Sequence, residues 1–218
     1  MPRMSFAEGS SKDTASFARR ALRAALWALV ILVLTFVIFV LLRIPVVLNR
    51  QKSAELVTAI QAQKLTMADV DGSHLPPPPD PAQVDATIAG IDVNHNGIRD
   101  DVELAIFKKY PNNPQLRAAE LQYAMTEQMF LTDVIDQATW KVVAEEDDRA
   151  YQCIASTVPR DDIQTHLQTV QADASDVQQL VLNTKARQAK SQQVAQFTTS
   201  FGTNNNIYCD ANVSSSVP

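Results

Sequence analysis

The sequence predicts an all-α protein with an N-terminal transmembrane helix, a proline-rich linker and an extracytoplasmic helical domain that carries one calcium loop and long packed helices. Three observations predict this. Residues 24–42 are apolar and contain neither charge nor proline. From residue 116 onward, apolar side chains recur at steps of three and four, the period of a helix face. Between Asp92 and Glu103, oxygen-bearing side chains stand at alternate positions around a glycine.

The chain divides into a cytoplasmic tail (1–23), the transmembrane helix (24–42), a juxtamembrane helix and Pro-rich linker (43–86) and the calcium-loop helical domain (87–218). Nineteen residues rising about 1.5 Å each span roughly 28 Å, close to the hydrocarbon thickness of a bilayer. A cleaved signal peptide fits less well, because Arg43-Ile44-Pro45-Val46-Val47 follows the run in place of small residues. Arg19, Arg20 and Arg23 crowd its N-terminal edge, with Arg3 and Lys12 further out, whereas Arg43, Arg50 and Lys52 follow it less densely. That bias places the N-terminus in the cytoplasm and the larger part outside. The expected lipid partner is the bilayer, through residues 24–42.

Residues 53–64 suggest a short helix with Leu56, Ala59, Ile60 and Gln63 on one face. The prolines 76–79 and Pro81 demand extended backbone, read as a polyproline II spacer that holds the domain off the membrane. Pro114 suits the first position of a helix that runs on through Leu116, Ala119, Tyr123, Phe130 and Val134 as far as Val143. Asp161 and Asp162 suit the start of another. Along it Ile163, Leu167, Val170, Ala174, Val177, Val181 and Thr184 alternate steps of four and three. This Ile163–Val181 seam packs on the preceding helix or, alternatively, mediates self-association. The helix is expected to continue past Thr184 as its stripe becomes polar. Glu145, Glu146, Asp147 and Asp148 read as a solvated helix face.

Cys153 and Cys209 are the only cysteines, and both fall in the predicted external part. A disulfide is the expectation in an oxidising compartment, and their separation excludes a Cys-x-x-Cys redox motif. The Asn204-Asn205-Asn206 turn would bring Cys209 back toward Cys153. Asn212-Val213-Ser214 matches a glycosylation sequon. After Arg43 the chain holds 13 Lys and Arg against 22 Asp and Glu, which disfavours a nucleic-acid partner. His74, His95 and His166 lack metal-ligand spacing, no Gly-x-Ser-x-Gly occurs, and five glycines leave no phosphate-cradling loop, so no catalytic residue is assigned.

The candidate metal ligands are Asp92, Asn94, Asn96, Ile98 through its main-chain carbonyl, Asp100 and Glu103. Calcium takes six to eight oxygens, so Asp92 and Glu103 supply charge, Asn94 and Asn96 supply neutral oxygens, and Gly97 permits the sharp turn. An Asx-rich turn that merely caps the following helix is the competing reading. With three carboxylates in the set, affinity for calcium should be weak, on the order of 10⁻⁴ to 10⁻³ M.

Counted from Asp92, the set falls at positions 1, 3, 5, 7, 9 and 12, so the loop resembles that of an EF-hand. It departs at position 8, where Arg99 replaces the hydrophobe that pairs two loops, and no entering helix is evident behind the prolines. Residues 96–103, Asn-Gly-Ile-Arg-Asp-Asp-Val-Glu, are more similar to the single calcium loops of bacterial surface proteins and of thrombospondin type 3 repeats. The segment 75–153, a proline spacer followed by this run, resembles uncharacterised bacterial envelope proteins. Taken with the apolar run and the arginine bias, it leads to the expectation of a single-pass location in the bacterial inner (cytoplasmic) membrane, with the C-terminal domain extracytoplasmic, in the periplasm. The role expected from these features is binding or assembly, with a further envelope protein as partner. The alternatives are an envelope enzyme whose site is assembled from scattered residues, and a cytosolic calcium sensor of reversed topology.

Overall fold

A computed structural model describes residues 10–202 and 208–211. Among them every regular element is helical, and there is no strand. The Asn204-Asn205-Asn206 turn, the Asn212-Val213-Ser214 sequon and the first nine residues of the tail lie outside the described residues. The chain forms two compact units, Met1–Gln51 and Lys52–Pro218.

The first unit is helical from Ser10, within α1 (Ser10–Ala62). The expected span of 24–42 is therefore part of a longer helix, and Pro45 lies inside it rather than ending it. Its large apolar side chains, from Leu22 to Leu48, are exposed, and its most apolar window has a mean hydropathy of 3.1 with none of that window buried. A face that is apolar all round and covered by no other element has the length and composition to cross a membrane. The Arg43 guanidinium folds back over the Phe39 ring, 5.1 Å from its centre, so its charge sits against the apolar stretch with its stem packed.

The second unit begins with the end of α1. Here Ser53 and Ile60 are buried, Leu56 and Val57 are half-buried, and Ala59 is exposed, so the buried face is rotated from the expected one. Leu65 and Val70 are also buried, the latter in α2 (Met67–Asp71), whose start is held by the Thr66 amide and hydroxyl donating to Asp69 Oδ2 at 2.7 and 2.6 Å. Residues 52–71 thus belong to the core unit, which corrects the expected linker of 43–86. The prolines form an extended strap across this unit, with Pro76 buried. They do not separate the domain from the membrane helix. The strap ends at α3 (Pro81–Val84), where Asp80 caps by accepting from the Ala82 amide at 2.9 Å.

Helices α4 (Asp100–Lys109), α5 (Pro114–Thr132), α6 (Gln137–Thr157) and α7 (Ile163–Val181) build the core. Pro114 does open α5, and Asn113 caps it by accepting from the Leu116 amide at 3.1 Å. The amphipathic stripe expected there is replaced by burial of every residue from 117 to 129, polar ones included, because α2, α4, α6, α7 and α8 (Lys185–Val194) pack around the helix. The helix expected to run on to Val143 breaks at Asp133, and Asp136 caps α6 by accepting from Thr139 at 2.9 Å.

On α7, Val170, Ala174, Val177 and Val181 are buried in the shared core, while Ile163 and Leu167 are 64% and 54% exposed. The seam therefore packs intramolecularly over its last three turns. Thr184 does not continue it: its hydroxyl accepts from the Arg187 amide at 3.2 Å and starts α8 (Lys185–Val194), so the expected extension of α7 is corrected. The acidic run on α6 is not a solvated face either. Glu146 pairs with Lys64 at 2.6 Å and with Arg149, and Asp147 accepts from the Thr126 hydroxyl at 2.8 Å.

Cys153 and Cys209 form the disulfide, with Cα atoms 5.0 Å apart. Arg149 donates to Asp210 Oδ1 at 2.6 Å and to the Tyr208 carbonyl at 3.2 Å, and the Gln122 amide exchanges hydrogen bonds with Tyr208 and Asp210, so this segment is fastened on both sides of the bond. Irregular segments expose carbonyls that need donors. Buried guanidinium groups supply several at once: Arg187 holds the Val84, Thr87 and Ile88 carbonyls, and Arg117 holds those of Val70, Tyr110 and Pro111.

Candidate metal centre

The loop from Asp92 to Asp100 leads directly into α4, and its conformation follows from the residues that were singled out. Asp92 Oδ2 accepts from the Gly97 amide at 2.9 Å and Oδ1 from the Asn96 amide at 3.3 Å, which folds the loop around the first carboxylate. Asn96 Oδ1 accepts from the Ile98 amide at 2.9 Å. Gly97 has φ +85°, so the turn requires glycine, and Gln63, just past the end of α1, reaches over it to donate from Nε2 to the Asn96 carbonyl at 3.2 Å. Ile98 is buried, which anchors the far side of the loop in the core.

Asp100 and Glu103 are both fully buried. Asp100 Oδ1 accepts from the Val93 amide at 3.0 Å, and its Oδ2 has no partner. Glu103 accepts from Asn94 Nδ2, at 3.1 Å to Oε2, and from Asn96 Nδ2, at 3.0 Å to Oε1. Burial pushes the Glu103 carboxyl up to about 7, against the pull of these two amides, and Asp100 and Asp69 push the same way. The Asp100 carboxyl is likewise raised, first by burial and then by Asp92 and Asp101. Among the described residues neither acid forms an ion pair. Asp69, on α2, adds a further carboxylate near Glu103 that no sequence spacing announced.

The structure therefore gathers Asp92, Asn94, Asn96, Asp100 and Glu103 in one loop, but in a state closed by internal hydrogen bonds. Among the described residues no three His, Cys, Asp or Glu side chains stand together in a metal-holding arrangement. The amide nitrogens of Asn94 and Asn96 face the carboxylate that would share the ion. Presenting their oxygens instead requires both amides to turn over, at the cost of the Asn94 bond to the His74 carbonyl, 2.9 Å, and the Ile98 bond to Asn96. The helix-capping alternative is opposed by geometry: the N-cap of α4 is Arg99, which makes no side-chain cap, and the Asp100 carboxylate accepts from the loop rather than from the helix.

Arg99, at loop position 8, has a definite task. It is 1% exposed, and its guanidinium donates to the Leu180 and Val181 carbonyls at 2.8 and 3.1 Å and to both Asp101 oxygens. Where a pairing hydrophobe would meet a second loop, this chain ties the loop to the carbonyl end of α7, where a cation is favoured. Gly90 makes room for the arginine stem, since a Cβ there would meet Arg99 Cδ at 2.2 Å.

A second polar site was not foreseen. A cleft of about 270 Å³ is lined by Glu127, Phe130, Trp140, Asp147, Gln178 and residues of α8. Gln178 Nε2 donates to Glu127 Oε1 at 2.7 Å and to the Tyr123 hydroxyl at 2.9 Å. Burial, and then Glu127, raise the Asp147 carboxyl to about 8, and burial raises that of Glu127. The two acids come from successive helices, twenty positions apart, and no local motif could have paired them. Comparison with protein-family models, with curated proteins and with solved structures finds no match to this chain.

Proposed function

We propose that this chain is a single-pass membrane protein whose domain lies outside the cytoplasm, binds one calcium ion at Asp92–Glu103 as a structural element, and serves binding or assembly rather than catalysis. The observation that carries the calcium reading is the fully buried Asp100–Glu103 pair, where among the described residues Asp100 Oδ2 is unpartnered and neither acid forms an ion pair. Uncompensated buried carboxylates are costly, and a divalent cation supplied from solution offsets that cost. Asp92, Asn94, Asn96, the Ile98 carbonyl and Glu103 would hold the ion, with Asp100 acting directly or through water as position 9 commonly does. Arg99 leaves the loop no partner loop through which to open a groove, which favours stabilisation over switching.

The apolar α1 and the Cys153–Cys209 disulfide support an oxidising external location. The test is thermal unfolding of the full chain in detergent micelles, in millimolar calcium and in chelator. A calcium-dependent rise is expected, and coincident melting curves would leave the loop a simple turn. Location is read separately, by adding protease to intact spheroplasts. Digestion of the C-terminal domain is expected, and protection until lysis would favour a cytosolic calcium sensor.

The cleft between α5, α6 and α7 favours a second reading, an envelope enzyme whose site is built from residues distant in sequence. Two carboxyls with raised proton affinity beside an aromatic wall can hold and pass a proton near neutral pH. Retention of the chain's cellular role in a Glu127→Gln, Asp147→Asn double variant would remove this reading.

A further inference from the structure

The cleft between α5, α6, α7 and α8 combines a solvent-reached acid with an aromatic wall. Asp147 lines it and is half-buried rather than sealed. One of its oxygens is spent: the Thr126 hydroxyl donates to Oδ1 at 2.8 Å. The other, Oδ2, accepts from no donor among the described residues and, unlike Asp100 Oδ2, is not closed off from solvent. A molecule in the cleft therefore has an unbonded, accessible carboxylate oxygen to meet. Beside it stands Glu127, 7% exposed, which accepts from Gln178 Nε2 through Oε1 at 2.7 Å and has the Tyr123 hydroxyl as a neighbour.

Charge decides what fits. Among the described residues neither acid forms an ion pair, and the charged groups that act on Asp147 are Glu127 and Asp148, both acids. A desolvated pair of like charges is relieved by a proton or by a cation, and a neutral polyol supplies neither. Two neutral groups on the wall have already spent their donors, Gln178 Nε2 on Glu127 and Tyr123, and the Thr198 hydroxyl on the Ala195 carbonyl at 2.7 Å. The opposite side is apolar: Phe130 and Trp140, their ring centres 6.3 Å apart, with Val194 and Ala195. Aromatic faces also attract an organic cation. A bare divalent ion is a poorer match, because no three acidic or imidazole groups converge among the described residues. The volume, about 270 Å³, suits only a small molecule.

We propose that this cleft binds a small free amine, with its ammonium at Asp147 Oδ2 beside Glu127 and its apolar body against Phe130 and Trp140. Such binding shares the cleft of the enzyme reading and requires no turnover. The full chain, labelled with ¹⁵N at its two tryptophan indoles, is titrated in micelles and chelator with butylammonium and, in parallel, with the uncharged 1-butanol. Butylammonium should move the Trp140 resonance saturably, and 1-butanol should not. Trp27, exposed on the apolar stretch of α1, reports partition into the detergent. Affinity should rise about tenfold or more from pH 6.5 to 8.5, because the ammonium displaces the proton of a carboxyl raised to about 8. Asp147→Asn should weaken binding at least tenfold and remove that pH dependence. Ser191→Phe, which fills the cleft from α8 and removes no acid, should abolish binding, with cooperative melting in both variants reporting an intact fold. Absence of a saturable shift, an equal response to 1-butanol, or unchanged affinity in Asp147→Asn would overturn the site. Tighter binding of the tripeptide Gly-Lys-Gly than of butylammonium would overturn the free amine in favour of a partner's lysine side chain. Amine binding with the cellular role retained in the Glu127→Gln, Asp147→Asn double variant supports the site and removes only the enzyme reading, whereas no binding with that role lost overturns only the amine.

Discussion

Replacing Glu103 by Gln should have opposite effects with and without calcium. In the calcium-free chain the Glu103 carboxyl is fully buried and titrates near 7 rather than 4.5. Its folded pKa is raised, so between those values the folded state holds a proton that the unfolded state has released, and stability falls as pH rises through this window. Above pH 7 the full penalty applies, at most about 3.4 kcal/mol for a shift of this size. Gln keeps the shape and removes the charge, but turns an NH₂ toward the Asn94 and Asn96 amides, which offsets part of the gain. In chelator at pH 8, E103Q should therefore be more stable than the wild type by about 1–2 kcal/mol, with the difference vanishing near pH 4.5. With 1 mM calcium and a dissociation constant of about 10⁻⁴ M, binding stabilises the wild type by about 1.4 kcal/mol, roughly 3–6 °C in melting temperature. E103Q should lose that rise, because the bidentate carboxylate is gone. Wild-type affinity should itself increase as pH passes through about 7, since the ion displaces the proton. Calorimetry of both chains in micelles at pH 5 and 8, with calcium and with chelator, measures all four quantities. An E103Q chain that melts lower than wild type in chelator at pH 8, and still responds to calcium, would refute the argument. Asp101→Asn is not an inert control: it should keep the calcium response yet lower the baseline, because Asp101 pairs with Arg99 at 2.5 Å.

Arg99→Lys should destabilise the chain by about 2–4 kcal/mol in a denaturant titration, because one ammonium cannot serve Asp101 and two helix carbonyls together; a loss under 0.5 kcal/mol would deny Arg99 its role in tying the loop to α7. Asp147→Asn should flatten the fall in stability between about pH 4 and 8, since a carboxyl raised to about 8 keeps its proton in the folded state while the unfolded chain releases it; an unchanged pH slope contradicts the burial of that acid. Replacing Cys153 and Cys209 together by Ala should cost up to about 4 kcal/mol, the chain-entropy value for a closed loop of this length, and abolish the mobility difference between reduced and non-reduced electrophoresis. Quantitative alkylation of both thiols in unreduced envelopes would exclude the bond.

Periodicity, charge and local spacing determined the features of this protein that depend on neighbours in sequence. The apolar run of α1, the caps at Asn113 and Asp162, the turn at Gly97 and the grouping of Asp92 to Glu103 each arise from groups within a few residues of one another, and local hydrogen bonds or lipid-length hydrophobicity suffice to produce them. What tertiary structure decided are the properties set by partners from elsewhere in the chain. Nothing in the stripe of α5 indicated burial on every side, because that depends on how many helices surround it. Residues 53–64 read as a juxtamembrane helix with one apolar face, but that Ile60, Leu65 and Val70 enter the core could not be read, because their burial depends on partners supplied from a distance. Arg99 looked like a defect in a calcium loop, and the carbonyl end of α7, some eighty residues later, makes it a tie. The same holds for Glu127 with Asp147: two buried acids from successive helices become a candidate site only when folding sets those helices side by side around a cleft.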